Sequence, residues 1–158
     1  RTLGASALGM CALVLADYTF PKDRIFAYLN LDDSDLKVYE KLYPVLEQEV
    51  PRPDLVIYMQ GSVSVLLERI ARRGREFERA IDPDYLVRLS EAYSYYFFHY
   101  RETPLLVVNT DDIDFVNNPA DFEALVDQIA RCRGGTQVYV PLGPRLAEGL
   151  GGPAERDR

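Results

Sequence analysis

Five of the eighteen lysine and arginine residues of this chain lie between Arg69 and Arg79. The segment from Leu66 to Glu78 reads LLERIARRGREFE and interrupts a chain whose net charge is −7. Guanidinium groups are planar and always charged, and their forked donors match pairs of phosphate oxygens. The cluster therefore points first to phosphoryl transfer. The alternative is structural, because cations at a helix C-terminus offset the macrodipole by roughly 0.3–1 kcal/mol each.

Length and composition narrow the class of protein. A chain of 158 residues with 47% apolar content can bury one good core, so we expect a single domain. The acidic balance lacks the broad basic surface that nucleic-acid binding requires, and it leaves a small phosphorylated ligand as the better partner for the arginine cluster. Cys11 and Cys132 have neither metal-site nor disulfide-framework spacing, so no metal ligand is assigned and a cytoplasmic location is expected.

The N-terminal stretch is apolar and rich in small residues. It begins at Arg1 and is too short to span a bilayer, so neither a signal peptide nor a membrane anchor is predicted. We interpret Ala12–Ala16 (ALVLA) as a buried strand and expect the chain to lack its true beginning.

The remaining elements alternate between two patterns. Continuous apolar runs predict strands buried on both faces, and apolar residues at three- and four-residue spacing predict helices. The strands are Leu55–Met59, Leu105–Val108 and Gln137–Val140; the helices are Ser34–Glu49 with Ser34 as N-cap, Val63–Arg73, Asp82–Tyr100 with Asp82 as N-cap, and Pro119–Arg131. This order predicts an α/β domain over residues 1–142 with a parallel sheet covered by helices on both sides, followed by a disordered tail over 143–158.

Polar residues follow the predicted strands. Ligands of parallel α/β sheets bind outside the carboxyl ends of the strands. Asp17 and Asp23 follow the first predicted strand, Gln60 follows the second, and the third leads into Asn109–Phe115. We expect Asp17 and Asp23 to face the same crevice as the arginine cluster, although turn or cap roles would explain both equally well.

Three segments in combination resemble the deoxynucleoside kinase family, and most of all its bacterial deoxyadenosine, deoxyguanosine and deoxycytidine kinases. They are LADYTFPKDRIFA, the block from PRPDLVIYMQ through LLERIARRGREFE, and PLLVVNTDDIDF. The likeness covers roughly Ala12 to Ile129. It implies the three-layer fold of P-loop kinases, ATP and Mg²⁺ as cofactors, and phosphorylation of a deoxynucleoside 5′-hydroxyl by a protein that forms a homodimer.

The resemblance also implies roles in phosphoryl transfer. Arg69, Arg73 and Arg75 match lid arginines that contact the donor and transferring phosphates. Asp17 matches the acidic residue of an acidic-Arg-Ser motif, which makes it the fourth catalytic candidate. An i, i+4 pair such as Arg69 and Arg73 shares a helix face, and Gly74 would let the chain swing so that Arg75 reaches the same phosphate.

Further matches concern the two substrates. Glu78 matches a lid glutamate that binds the sugar 3′-hydroxyl, and Asp23 matches the aspartate that recognises the acceptor base. Arg24 is a candidate to replace the motif arginine, since Tyr18 stands at that position. Ile113, Asp114 and Phe115 match the loop that packs the donor adenine. Base preference among adenine, guanine and cytosine stays open.

The front of the family pattern is missing from this sequence. Gly4 and Gly9 have the spacing of a GxxxxGK[ST] phosphate loop, but Met10 and Cys11 stand where Lys and Ser or Thr belong. No catalytic Glu follows. We therefore expect a C-terminal portion of a kinase that lacks the first strand, the phosphate loop and the first helix.

Two other functions stay open. A thymidylate-like nucleoside monophosphate kinase shares the lid architecture, but its phosphorylated acceptor would favour a cation at the position of Glu78. An inactive kinase-derived fragment or partner subunit is the non-enzymatic alternative. The aromatic segment Tyr93–Tyr100 could serve a subunit interface or a core.

Overall fold

The computed structural model describes residues 13–17, 19–78 and 80–141, without the side chain of Phe77. The predicted tail over 143–158, the glycine pair Gly4 and Gly9, and Tyr18 lie outside the described residues.

Helices and strands alternate along the described chain. In order they are α1 (Pro21–Asn30), α2 (Asp33–Glu47), β1 (Val56–Gln60), α3 (Val63–Arg73), a 3₁₀ turn (Glu76–Glu78), α4 (Pro83–His99), β2 (Leu105–Asn109), α5 (Pro119–Arg131) and β3 (Thr136–Tyr139). The three strands predicted after residue 50 are confirmed within one residue at each end. The predicted helices α3 and α5 begin and end where the sequence pattern placed them.

The sheet is parallel and has the order β1-β2-β3. Val56 is in register with Leu105, and Leu105 is in register with Thr136. Consecutive parallel strands need a crossover, and helices supply the crossovers here. The carboxyl ends of β1 and β2 therefore lie side by side.

Each face of the sheet carries one hydrophobic cluster, because successive strand residues point to opposite sides. On one face, Val56 and Leu105 pack with Phe97 and Tyr100 of the α4 segment. On the other, Leu106 and Val108 pack with residues that include Leu125 of α5. The result is a three-layer arrangement of helix, sheet and helix, as the sequence predicts.

Side-chain caps fix the starts of the helices. Asp82 caps α4 by accepting a hydrogen bond from the backbone N–H of Asp84 at 3.0 Å, as predicted. The predicted N-cap Ser34 is wrong, because Asp32 caps α2. The Asp32 carboxylate accepts from the N–H groups of Ser34 and Asp35, both at 2.9 Å, so the helix begins one residue before Ser34.

The prediction of a buried strand at the start of the chain is wrong for the residues that the structure describes. Residues 13–16 of the predicted strand belong to no strand and are exposed, and Ala12 lies outside the described residues. An apolar sequence becomes a strand only where a neighbour offers backbone partners. After Asp17, where no helix was predicted, the chain forms α1, which Pro21 starts and whose Ile25 and Ala27 are buried.

Among the helices that the structure describes, none combines the length and the apolar character needed to cross a membrane.

Candidate functional site

The site lies where the carboxyl ends of β1 and β2 meet. Thr110 directly follows β2, and its N–H donates to the carbonyl oxygen of Gln60, the last residue of β1, at 2.8 Å. Its hydroxyl donates to the same carbonyl at 2.9 Å. These two bonds join the strand ends and leave Thr110 only 2% exposed.

Helix α3 carries the arginines away from this edge. It ends at Gly74, whose φ of 68° is left-handed and whose N–H donates to the Ile70 carbonyl at 3.2 Å. Glycine adopts this conformation without the steric cost that a side chain adds. The chain then turns into the 3₁₀ segment, and this reversal returns Glu78 to the end of α3.

Glu78 forms ion pairs with two of the predicted arginines. Arg73 donates to both carboxylate oxygens, with its Nε at 3.0 Å from Oε2, and Nη1 of Arg75 lies 3.7 Å from Oε1. The carboxylate is 8% exposed, whereas the side chains of Arg73 and Arg75 are 53% and 56% exposed. A buried anion thus holds two cations that remain open to solvent.

Arg69 turns toward a different partner. Its guanidinium donates to the Thr110 hydroxyl at 2.7 Å, to the Thr110 carbonyl, and to the Ile113 carbonyl at 3.5 Å. These acceptors are neutral, and no carboxylate within the described chain forms an ion pair with Arg69. The spacing of Arg69 and Arg73 on the helix did not predict that they would have separate partners.

The predicted adenine loop packs onto the sheet. Ile113 is buried, and Phe115 contacts the same cluster. The Asp114 carboxylate accepts a hydrogen bond from the side chain of Asn117 at 2.8 Å. The backbone N–H of Asp114 donates to the Asp121 carboxylate at 2.9 Å. The hydrogen bond from Asn117 lowers the pKa of Asp114, and the charge of Arg72 adds to the effect.

The predicted acceptor residues form a second group. Asp23 lies on α1, where it accepts from the Tyr39 hydroxyl of α2 at 3.0 Å. Burial is the largest cause that raises the pKa of Tyr39, and the hydrogen bond to Asp23 is the second largest. Arg24 donates to Glu40 at 3.4 Å, and Asp17 is exposed. Within the described residues, no hydrogen bond or ion pair connects Asp17, Asp23 or Arg24 to Arg69, Arg73 or Arg75.

Sequence reasoning missed Thr110 and Tyr39 as members of the two groups. Thr110 follows the strand directly, a position from which a side chain reaches the ligand edge, so its location was a usable signal. Tyr39 lies sixteen residues from Asp23 on another helix. No local pattern in the sequence indicates that pair.

Comparison with solved structures identifies the fold class. The deoxyadenosine kinase from M. mycoides with bound dCTP matches with a TM-score of 0.61 and 28% identity, over 72% of this chain and 62% of that chain. The same enzyme with bound dATP gives a TM-score of 0.67 at 23% identity. These neighbours have the P-loop kinase fold, and the three-stranded parallel sheet with flanking helices places this chain in the same fold class.

Sequence comparison is more specific. The deoxynucleoside kinase family model matches residues 7–132. The deoxyguanosine kinase of Bacillus subtilis is 37% identical over 120 residues, which are 73% of this chain and 58% of that protein. The deoxyadenosine kinase of Lactobacillus acidophilus is 33% identical over 66% of this chain and 55% of that protein. The chain belongs to the deoxynucleoside kinase family, and it spans a little over half the length of these relatives.

Proposed function

We propose that this chain supplies the lid, the donor-base loop and part of the acceptor site of an ATP-dependent deoxynucleoside kinase, which phosphorylates the sugar 5′-hydroxyl. The observation that carries the proposal is the buried Glu78 between Arg73 and Arg75. It combines exposed cations for a polyphosphate with a carboxylate that can accept from a sugar hydroxyl. Membership of the kinase family supports the same reaction.

ATP fits the donor side of the site by its chemistry. Arg73 and Arg75 offer half-exposed guanidinium groups, and Arg69 adds a cation without an acidic partner in the described chain. The loop of Ile113, Asp114 and Phe115 would hold the adenine. Mg²⁺ would be bound mainly through the phosphates and water, which is its usual mode in kinases. Bound there, it would neutralise charge on the transferring phosphoryl group.

The acceptor side is assigned to Asp23, Arg24 and Glu78, with Asp17 next to the reacting hydroxyl. In the resting lid, Arg73 and Arg75 neutralise Glu78. Donor phosphates compete for the same guanidinium groups, so donor binding would free the carboxylate for the sugar 3′-hydroxyl. Positioning and charge stabilisation account for most of the acceleration in such reactions.

Titration calorimetry of this chain tests the proposal. ATP·Mg²⁺ is titrated separately from deoxyadenosine, deoxyguanosine and deoxycytidine. We expect Arg73→Ala to weaken ATP binding about tenfold, the loss of one charge-assisted contact. Glu78→Gln should weaken deoxynucleoside binding by a similar factor without weakening ATP binding, because it releases the arginines.

Matched variants give the controls. Arg131→Ala removes an arginine on α5 that pairs with Asp127 at 3.5 Å, and Glu123→Gln neutralises an exposed acid on the same helix. Neither should change either affinity. Tighter binding of deoxynucleoside monophosphates than of deoxynucleosides would favour the thymidylate-like alternative. A folded chain that binds neither donor nor acceptor would contradict the proposal and favour a partner subunit.

We also propose that the protein is a cytoplasmic homodimer that associates through a helix flanking the sheet. The aromatic segment of α4 divides into two groups. Tyr93, Tyr96 and Phe97 belong to the core, whereas Tyr95 and Phe98 are exposed. Sedimentation should give a dimer that Phe98→Lys weakens and that Phe122→Lys, at an exposed position of α5, leaves intact. If Phe98→Lys and Phe122→Lys both sediment as monomers, the proposed assembly is contradicted.

A further inference from the structure

The loop after β2 holds helix α3 at its first turn. Oδ1 of Asp111 accepts a hydrogen bond from the N–H of Ser62, the N-cap residue of α3, at 2.6 Å. The side chain of Ser62 makes no capping bond to its own helix. Asp111 therefore supplies from a neighbouring strand end the acceptor, and the negative charge, that a helix N-terminus favours.

The same loop holds α3 again two turns later, through Arg69. The hydroxyl and the carbonyl of Thr110 both accept from the Arg69 guanidinium, and the Ile113 carbonyl adds a third, longer contact at 3.5 Å. The Thr110 hydroxyl also donates to Gln60 at 2.9 Å, so its orientation is fixed from both sides. One short loop thus contacts α3 at its first turn and again at Arg69, the seventh of its eleven residues.

Gly61 lies between the end of β1 and this loop and is buried. A Cβ atom at that position would lie 3.3 Å from Cδ2 of Leu66 on α3, which is a tight contact. It would lie 3.4 Å from the Thr110 hydroxyl oxygen and 3.6 Å from Oδ1 of Asp111, which are ordinary van der Waals distances. The strand end, the loop and α3 therefore meet at Gly61.

The apolar packing of α3 is incomplete. None of its residues is fully buried, and its apolar residues Val63, Val65, Leu66, Leu67 and Ile70 are partly buried. Polar contacts therefore add to the positioning of this helix. Those contacts come from the loop that also holds Ile113 and Phe115.

We propose that Thr110 and Asp111 are positioning residues that fix the lid helix α3 to the donor-base loop. Thr110 acts through Arg69, and Asp111 acts through the first turn of α3. The inference rests on the proposed function for its effect on the donor, but not for the contacts themselves. If these contacts position α3, the positions of the Arg73 and Arg75 guanidinium groups depend on the loop that receives the donor base.

Two substitutions at Thr110 separate positioning from packing. Thr110→Val keeps the branched shape and removes the hydroxyl, whereas Thr110→Ser keeps the hydroxyl. We expect Thr110→Val to speed amide hydrogen exchange across residues 66–73 about tenfold and to weaken ATP·Mg²⁺ binding about tenfold. Deoxynucleoside binding should change less than twofold, and Thr110→Ser should restore both the exchange and the affinity.

The other end of α3 is tested through Asp111. Asp111→Ala should speed exchange in residues 63–67, while Asp112→Ala should not, because Asp112 is exposed and makes no recorded side-chain contact in the described part of the chain. This pair decides the question if Thr110→Val fails to fold. Unchanged exchange in both Thr110→Val and Asp111→Ala would overturn the inference, as would equal losses of donor and acceptor affinity. If the unmodified chain binds no nucleotide, the proposed function fails. The exchange experiment still tests whether Thr110 and Asp111 position α3.

Discussion

Glu78 is the residue on which the proposed lid depends. Its carboxylate is buried, and a buried charge is tolerated only when it is paired and hydrogen-bonded. Arg73 makes a bidentate contact with it, and Arg75 lies nearby. Because both arginines stay half exposed, water screens part of the attraction, and the pair is worth less than a fully buried one.

A double-mutant cycle measures this pairing. Arg73→Ala and Glu78→Gln, alone and together, should give a coupling free energy of about 1 kcal/mol in urea unfolding. The same cycle on Asp127 and Arg131, an exposed i, i+4 pair, should give less than about 0.5 kcal/mol. Equal values for the two pairs would mean that the burial of Glu78 adds nothing.

At the scale of elements, the proposed lid depends on how α3 ends. Gly74 has a φ of 68°, and its turn brings the 3₁₀ segment back so that Glu78 meets Arg73. Alanine at this position should destabilise the fold by about 1 kcal/mol, because its Cβ is disfavoured in the left-handed region. Gly134→Ala is the control, since Gly134 has no positive φ and no atom lies within 4 Å of its added Cβ. Urea midpoints compare the two variants, and equal midpoints would contradict a strained Gly74 site.

The cap of α2 gives a prediction of pH dependence. Hydrogen bonds from the Asp35 and Ser34 backbone and from the Ser34 side chain lower the pKa of Asp32 below its usual value. A lowered pKa in the folded state stabilises the fold above the unfolded pKa of about 4, and this contribution is lost as the pH falls through the folded pKa. Asp32→Ala should therefore lower the urea midpoint at pH 7, and the difference from the unmodified chain should shrink below about pH 4. A difference that stays constant down to pH 2 would contradict the cap charge.

At the scale of the whole molecule, the distribution of charge should affect binding of the anionic donor more than binding of the uncharged acceptor. The chain has a net charge of −7, yet five of its cationic residues lie between Arg69 and Arg79. The proposed donor, ATP·Mg²⁺, is an anion and would have to be attracted locally against the overall field, and salt screens such interactions over about 8–10 Å.

Ionic strength tests that difference. Raising KCl from about 50 to about 200 mM should weaken ATP·Mg²⁺ binding several-fold, while binding of an uncharged deoxynucleoside should stay within twofold. Calorimetry at both concentrations measures the two affinities. Equal salt dependence of donor and acceptor would mean that the arginine cluster does not carry the donor site.

The sequence by itself determined the elements whose physical causes are local. Apolar runs set β1, β2 and β3, and three- to four-residue spacing set α3 and α5, because the sheet and helix periods differ. The arginine cluster and its resemblance to kinase lids also needed no coordinates. Local pattern failed at ALVLA, where strand formation depends on a neighbour rather than on composition.

Only the tertiary structure decided which groups meet. Arg69 and Arg73 are one helical turn apart, yet one binds the Thr110 loop and the other binds Glu78. The parallel register brings Gln60 and Thr110 together across fifty residues of sequence. Such contacts form where elements that are distant in sequence meet, and where a charged group that leaves water needs a hydrogen-bond partner. The spacing of residues along the chain predicts neither.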